Sequence, residues 1–241
     1  THGVSSAASD VYKRQVMSPS ELESAFEEGV GFDGSSVEGF SRISEADTIA
    51  MPDPSTFQIM PFDKGEPELL SARMFCDIAQ PDGQPSMVDP RHILRRQVTE
   101  AANEGFTCMA SPEVEFYLLE DARDINNLVA TDNGGYFDQA THDNAPSFRR
   151  RSMYALESMG IATEFSHHET APGQQEIDLR HADVLTMADH IMTFRYVIKE
   201  VASQQGVHAT FMPKPFEHRS GSGMHTHLSL FEGDSNAFHD P

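Results

Sequence analysis

The sequence predicts an α+β fold in which helices and antiparallel strands are interleaved. Amphipathic segments with a period near 3.6 residues predict helices, and short runs of alternating apolar and polar residues predict strands. Turns that contain glycine or proline separate these segments along the chain. We place a domain boundary at the turn near residues 81–88, where Pro81-Asp82-Gly83 closes the first run of strands.

The N-terminal part begins with a segment that carries no hydrophobic period. Residues 1–15 are small and polar, which predicts a disordered or foreign leader. Ser18, followed three residues later by Glu21, predicts the capped start of a helix. Glycines at 29, 31 and 34 predict a loop over residues 31–40. Short strands are predicted over residues 48–62 and 69–79, with turns at residues 63–65 and 81–83.

The second part opens with a clear helix signal. Asp89 followed by Pro90 predicts an N-cap with proline at the first helical position, for a helix over residues 91–103 that ends near Gly105. Further helices are predicted over residues 146–158 and 181–204, and strands over residues 114–119, 207–212 and 224–231. On the longest helix, Met187, Met192 and Phe194 are predicted to lie in the core.

Composition excludes several classes of protein. The 241 residues carry 17 Lys plus Arg against 38 Asp plus Glu, a formal net charge of −21. This balance argues against binding to nucleic acid or to anionic membranes. Cys76 and Cys108 stand far apart, which suits a reducing compartment. The sequence shows neither an apolar run long enough to span a membrane nor a secretory signal, so we expect a cytoplasmic protein.

Three polar segments are candidates for chemistry. Strand alternation places Glu113 and Glu115 on one face. Around a Pro-Gly turn lie Glu164, His167, His168, Glu169 and Glu176. On the last predicted strand, His225, His227 and Ser229 share a face. Simpler interpretations remain open for each: a solvated strand face, a polar loop in which His167 and His168 only support Glu169, or a strand histidine such as His227 that is satisfied within the fold.

The donor types indicate which cation such a site prefers. Four glutamates (113, 115, 169 and 176) and one histidine form a mostly hard oxygen set, which suits Mg²⁺ or Mn²⁺. A zinc hydrolase built on His225, His227 and Glu169 is the alternative, but it leaves Glu113 and Glu115 unused. Carboxylate-held magnesium beside a glycine-rich turn is typical of phosphoryl transfer. The sequence has no P-loop motif, so a nucleotide would bind in another kind of site.

In combination, these segments resemble the signature blocks of the type I glutamine synthetases. The blocks occur in the family's order and are Phe32–Ser36, Ser111–Phe116, His167–Glu169, Gly173–Glu176, Met212–Pro215 and Gly221–His225. The resemblance runs from about Val16 to the last residue. Two segments, Ser71–Asp77 and Leu230–Asp234, are most similar to the actinobacterial glutamine-synthetase-like paralogues. The resemblance to the family implies a β-grasp domain over residues 16–85, which is incomplete at its start. It also implies part of a catalytic domain, with an antiparallel sheet and helices, over residues 86–241.

The resemblance implies an ATP-dependent ligase. Glutamate would attack the γ-phosphate of ATP to give γ-glutamyl phosphate, and ammonia would then displace the phosphate. By this resemblance, a first metal would be bound by Glu115, Glu169 and Glu176, and a second by Glu113 and His225. ATP would be contacted by Glu164, His227 and Ser229. The substrate glutamate would be contacted by Gly221 and Glu115, and the ammonium site would contain Asp33 and Ser36. The family also implies a homo-oligomer, a dodecamer at full length, in which Asp33 serves the neighbouring subunit.

Departures from the family leave alternatives open. Asp33 would alternatively do no more than close an Asx turn. Ser220 stands where many family members carry asparagine, so a γ-glutamyl-polyamine or other amine ligase is the second hypothesis. A non-catalytic paralogue is the third. The arginines and the last metal ligand that the family supplies further along its chain have no counterpart in these residues, so we expect the 241-residue chain by itself to be inactive.

Overall fold

The computed structural model describes residues 16–36, 47–62, 70–121, 123–124, 126–139 and 145–239. The predicted leader and the turn predicted at residues 63–65 lie outside these ranges. Contacts divide the chain into two units between Gly105 and Phe106, and each unit is considered by itself. The predicted alternation of helices and antiparallel strands is confirmed within the described residues.

The first unit contains a three-stranded antiparallel sheet in the order β1-β2-β5 and a small ribbon of β3 and β4. Its strands are β1 (Val30–Asp33), β2 (Asp47–Pro52), β3 (Gln58–Ile59), β4 (Ala72–Arg73) and β5 (Cys76–Ala79), and its helices are α1 (Leu22–Glu28) and α2 (Pro90–Asn103). The strands predicted over residues 48–62 and 69–79 are therefore confirmed but interrupted, because a 3₁₀ turn at Pro54–Thr56 separates β2 from β3.

Two predictions for this unit are wrong in detail. The Ser18 side chain makes no capping hydrogen bond, and a 3₁₀ turn over Pro19–Glu21 leads into α1 instead. The loop predicted from residue 31 is a strand as far as Asp33. Pairing with β2 explains the strand, since Val30 lies opposite Ala50 and the Thr48 hydroxyl donates to the Phe32 carbonyl at 3.0 Å. Ladder hydrogen bonds thus outweigh the low strand preference of glycine.

Helix α2 confirms the Asp89-Pro90 signal. Asp89 is 4% exposed; its Oδ1 accepts the Arg91 N–H at 3.0 Å and its Oδ2 accepts the Ile78 N–H at 3.1 Å. The cap therefore also ties the helix to β5. Arg91 donates to both Asp53 and Asp77, which fixes the first turn of the helix against the strands.

The second unit is built on one long strand. Its strands are β6 (Thr107–Asp121), β7 (Val129–Ala130), β8 (Thr163–His168), β9 (Gln174–Leu179), β10 (Ala182–Asp183), β11 (His208–Thr210), β12 (Met224–Glu232) and β13 (Ser235–Asn236), and its helices are α3 (Ala145–Ser158) and α4 (Val184–Gln204). The main path of the sheet is β13-β12-β6-β9-β8, and β7, β10 and β11 also pair with β6. Helix α4 begins three residues later than predicted, because Ala182 and Asp183 pair with β6 and Asp183 caps the helix.

The core of this unit lies on one face of β6. Phe116 is fully buried, and its ring centroid lies 5.9 Å from that of Phe148 on α3 and 6.3 Å from that of Phe194 on α4. The predicted core role of Met187 and Phe194 is confirmed, while Met192 is half-buried. Because strand side chains alternate, the polar residues on either side of Phe116 face away from the helices. The site lies on that other face.

Two further findings concern the described residues of both units. Within the described ranges, no helix has both the length and the apolar character needed to cross a membrane. Cys76 and Cys108 are both free and half-buried. Burial raises the pKa of each thiol, so both are protonated at neutral pH.

Candidate active site

A cavity of about 730 Å³ opens on the polar face of the second unit's sheet. The sequence predicted five metal ligands, and all five line it: Glu113, Glu115, Glu169, Glu176 and His225. Aromatic side chains of the segment 131–139 form part of its wall. The structure therefore brings the predicted ligands together, although they come from four separate segments of the chain.

Antiparallel register explains this convergence. Glu115 lies directly opposite Glu176 in the β6–β9 pair, and His225 lies directly opposite Glu113 in the β12–β6 pair. In the β8–β9 pair, His167 lies opposite Glu176. Directly opposed side chains have Cβ atoms about 4.5–5.5 Å apart, so each pairing places its two polar groups within reach of one cation.

The tightest group of donors in the cavity consists of His167, Glu169 and Glu176. One ligand atom from each lies within 4.8 Å of the other two. His167 Nε2 is 2.9 Å from Glu169 Oε1 and 3.4 Å from Glu176 Oε1. The sequence assigned His167 only a supporting role, and Glu115 the place beside Glu169 and Glu176. In this structure His167 completes the compact group, and Glu115 lies in the same cavity next to it.

The electrostatics of the cavity favour a divalent cation. Burial, and then the charges of Asp178 and Glu169, raise the pKa of Glu176 well above its ordinary value. Burial also raises the pKa of Glu115, and the neighbouring Glu169 charge adds to it. Several carboxylates that cannot all ionise together are stabilised by bound positive charge. The oxygen-rich donor set therefore fits Mg²⁺ or Mn²⁺.

Gln174 connects two residues that were predicted to contact the substrate. Its side chain is fully buried, and its Nε2 donates to Glu115 Oε2 at 2.6 Å and to the Gly221 carbonyl at 2.9 Å. The Tyr117 hydroxyl donates to the Ser220 carbonyl at 2.6 Å. These hydrogen bonds from Gln174 and Tyr117 thus hold the turn that carries Gly221 beside Glu115.

Glu113 lies between two histidines of β12. Its Oε2 is 3.0 Å from His225 Nδ1 and its Oε1 is 2.7 Å from His227 Nε2. The hydrogen bond with His227, and then the one with His225, lower the pKa of Glu113 despite its partial burial. The prediction that both histidines share a face is confirmed. Three predicted ATP contacts, Glu164, His227 and Ser229, do not line the cavity itself.

Phe137 and Tyr136 form an aromatic wall that the sequence did not predict. Their ring centroids are 4.1 Å apart, and the Phe137 ring packs edge-on against His167 at 4.8 Å. Phe137 has a φ of 61°, which is uncommon for an aromatic residue. Its N–H donates to the His168 carbonyl at 3.0 Å, so the strained backbone is held next to the cavity.

Asp132 supports both this wall and the turn at residues 169–174. Its Oδ1 accepts hydrogen bonds from the Gly173 N–H at 2.7 Å, the Gly134 N–H at 3.0 Å and His168 Nε2 at 2.9 Å. His168 is 2% exposed, and its Nδ1 is 2.6 Å from the Glu169 carbonyl. His168 therefore supports Glu169, as the sequence predicted. Asp132 was missed, although the Asp-Asn-Gly sequence is typical of an Asx turn.

Asp33 and Ser36 belong to the first unit. Ser35 donates to Asp33 Oδ1 through its N–H at 2.9 Å and its hydroxyl at 2.6 Å, and the Ser36 hydroxyl donates to Oδ2 at 2.7 Å. These bonds, led by that of the Ser35 hydroxyl, lower the pKa of Asp33. The arrangement is an Asx turn, the simpler of the two interpretations; a role in binding ammonium stays a prediction.

Comparison with known families gives two matches along the chain. Residues 87–241 match the family model described as the glutamine synthetase catalytic domain, and residues 9–81 match the glutamine synthetase beta-grasp domain. A glutamine synthetase of Mycolicibacterium smegmatis is 62% identical over 230 residues, which are 95% of this chain and 52% of the relative. One of Thermus thermophilus is 46% identical over 234 residues, 96% of this chain and 52% of the relative.

Solved structures agree with these matches. The cryo-EM structure of Plasmodium falciparum glutamine synthetase superposes with a TM-score of 0.80 at 27% identity, covering 90% of this chain and 48% of that one. Apo GmaS without ligand superposes with a TM-score of 0.85 at 27% identity, covering 95% and 53%. The chain spans about half the length of the curated relatives it matches.

Proposed function

The chain belongs to the glutamine synthetase family, and we propose that it forms part of an ATP-dependent ligase that makes glutamine from glutamate and ammonia through γ-glutamyl phosphate. The observation that carries this proposal is the convergence of four glutamates and a histidine on one cavity. The reaction brings an anionic carboxylate to a polyphosphate, so the site has to offset strong repulsion between like charges.

We infer two groups of residues that would hold cations there. Glu115, Glu169 and Glu176, with His167 beside them, form the first group, and Glu113 and His225 form the second. Mg²⁺ or Mn²⁺ bound by these groups supplies the positive charge that offsets repulsion between glutamate and the phosphates of ATP. The raised pKa values of Glu115 and Glu176 support this inference, because such acids gain most from a cation.

The protein's own residues orient the reactants in this proposal. Gln174 holds the Glu115 carboxylate and the Gly221 carbonyl at fixed positions, so that Gly221 can contact the substrate glutamate. The wall of Tyr136 and Phe137 would border the reactants at one side of the cavity. Glu164, His227 and Ser229 are the proposed ATP contacts, and their role rests on the sequence resemblance.

The isolated 241 residues should be inactive. Among the described residues that line the cavity, Arg149 is the one arginine, and no lysine is present. Arg149 donates a hydrogen bond to the Gln175 side chain, so its guanidinium already has a partner within the protein. A phosphoryl-transfer site generally uses several cationic groups to stabilise the charge that develops on the phosphate oxygens.

An amine other than ammonia is the second candidate acceptor. Ser220 replaces the asparagine of many family members, and its hydroxyl lies 2.9 Å from that of Thr170 at an exposed position. A small side chain there leaves more room for an extended amine than asparagine does. Asp33 and Ser36 remain the proposed ammonium-site residues in the glutamine reaction.

The decisive experiment measures phosphate release. The chain is extended with the portion of the M. smegmatis relative that it does not match, and ATP, glutamate and either ammonium or putrescine are supplied. We expect ammonium to support turnover and Glu115→Ala to reduce it at least about 100-fold without changing the fold. Glu104→Ala, in an exposed position outside the cavity, is the matched control. Activity with putrescine alone would establish the amine ligase, and no glutamate-dependent release would favour the non-catalytic paralogue.

We also infer a homo-oligomer, a dodecamer at full length, located in the cytoplasm. Both inferences rest on the resemblance to the family. We place the functional domain boundary near residue 85, since the two family matches end at residue 81 and begin at residue 87. Light scattering of the extended protein tests the assembly directly, and a monomer would exclude it.

A further inference from the structure

Asp178 is a buried carboxylate that the proposed reaction does not use. It is 4% exposed and lines the cavity. Its Oδ1 is buried and accepts no hydrogen bond from any residue that the structure describes. Buried polar atoms are rarely left without a partner in folded proteins, so this atom requires an explanation.

The neighbours of Asp178 are also acidic. Glu113 lies directly opposite it in the β6–β9 pair, and Glu176 lies two residues earlier on the same face of β9. The His167 ring acts electrostatically on Asp178, but its Nε2 is directed at Glu169 and Glu176. A side-chain hydrogen bond joins Asp178 and Glu176, and it requires a proton on one of the two carboxyl groups. Buried acids this close together are stable only if a proton or a bound cation offsets their charge.

A second buried aspartate of the same unit shows what a structural role looks like. Asp132 has a side chain that is 6% exposed, yet its Oδ1 alone accepts three hydrogen bonds, from Gly134, Gly173 and His168. Such an aspartate stabilises the fold by itself. Asp178 is also a buried aspartate, but its Oδ1 accepts no such hydrogen bond from the described residues. This difference points to a bound ligand.

We propose that Asp178 belongs to the cation-binding carboxylates of this cavity and shares a divalent cation with Glu176, which already lies in the compact group with His167 and Glu169. This inference rests on the proposed function, because it assigns a further residue to the same metal centre. Asp178 also lies next to the second group of ligands, since Glu113 is directly opposite it in the β6–β9 pair. Removal of the Asp178 charge should therefore weaken cation binding while it stabilises the cation-free protein.

The test uses Mn²⁺ alone and the 241-residue chain. Binding is measured by isothermal titration calorimetry and by the Mn²⁺ electron paramagnetic resonance signal, and thermal unfolding is recorded in EDTA and in Mn²⁺. For Asp178→Asn we expect the Kd for Mn²⁺ to rise at least about tenfold. In EDTA we expect its Tm to rise by roughly 2–4 °C, because the amide donates to neighbouring carboxylates instead of repelling them.

Two variants serve as controls. Asp138→Asn removes a charge from the same cavity, but Asp138 is exposed and accepts the Gly135 N–H at 2.8 Å, so its Kd should change less than about threefold. Asp132→Asn removes a structural aspartate and should lower the Tm in EDTA. Should Asp178→Asn fail to fold, Asp178→Ala provides the same two measurements.

The outcomes separate this inference from the proposed function. An unchanged Kd for Asp178→Asn, with Mn²⁺ binding lost in Glu176→Gln, would overturn the role of Asp178 and leave the metal centre standing. A Tm that falls in EDTA would show that Asp178 is a structural residue like Asp132. Absence of Mn²⁺ binding in the wild-type chain would overturn both the metal centre and this inference.

Discussion

Gln174 is the residue whose replacement tests the architecture of the site most directly. Its amide is fully buried and donates to Glu115 at 2.6 Å and to the Gly221 carbonyl at 2.9 Å, while its Oε1 accepts the Ala171 N–H at 3.3 Å. Gln174→Met preserves the length of the side chain and removes all three bonds. A hydrogen bond to a charged group contributes about 1.5–3 kcal/mol and a neutral one about 1 kcal/mol. Allowing for the solvent that reaches Glu115 and the apolar gain of methionine, we expect a loss of about 3 kcal/mol.

The assay has to report on the second unit specifically, since the chain has two units. Thermal unfolding and amide hydrogen exchange in β6 and β9 provide this. A loss of about 3 kcal/mol corresponds to a Tm lowered by roughly 10 °C. Gln204→Met on the exposed side of α4, where Nε2 lies 3.3 Å from Glu200 Oε1, is the matched control and should change stability by less than about 0.5 kcal/mol. A Tm for Gln174→Met equal to that of the control would refute the reasoning.

Two further predictions concern backbone geometry and pH. Gly173 has a φ of 77°, and a Cβ there would lie 2.7 Å from the Leu118 carbonyl oxygen. Gly173→Ala should therefore lower the free energy of unfolding, measured in urea, by more than about 2 kcal/mol. Gly206 has a φ of 72° but open space around it, so Gly206→Ala should lower it by only about 1 kcal/mol. Burial raises the pKa of Asp53, but bonds from Ser55 and Arg91 outweigh it and lower the pKa to about 2. The ionised Asp53 therefore stabilises the first unit by up to about 2 kcal/mol above pH 4, and this stabilisation is lost as the pH falls towards 2. In urea unfolding of the first unit, Asp53→Asn should remove this pH dependence. A pH profile equal to that of the wild type would contradict the prediction.

Local signals predicted the helices well. The Asp89-Pro90 pair marks the start of α2, and Gly105, with a φ of 89°, follows its end. Such signals depend only on residues close in sequence, because the cap and the first turn supply each other's hydrogen bonds. β1 shows the opposite case: its glycines predicted a loop, but Thr48 and its neighbours on β2 pair with it from further along the chain.

The site could be predicted only in part for the same reason. Alternation within β6 was sufficient to place Glu113 and Glu115 on one face. The place of His167 depends on its register opposite Glu176, a pairing between β8 and β9 that no local pattern specifies. Asp178 likewise depends on the register of β9 with Glu113. The family resemblance was sufficient for the ligands that this chain shares with other members. The places of His167 and Asp178 beside those ligands become visible only in the structure.

The two buried aspartates show why strand acids differ from turn acids. Asp132 lies in a turn, where free backbone N–H groups such as that of Gly134 can turn towards its carboxylate. Asp178 lies within a strand, where the backbone N–H groups already belong to the ladder and cannot serve a side chain. The same holds for Glu113 and Glu176, whereas the Glu115 carboxylate is reached by the backbone N–H of Gly223, which lies just before β12. A face of paired strands that carries several acids therefore has to obtain its positive charge from side chains or from bound cations. Asp178 lies beside Glu113 and Glu176, while the neighbouring His167 is directed at Glu169 and Glu176, and that is the physical basis for expecting a cation there.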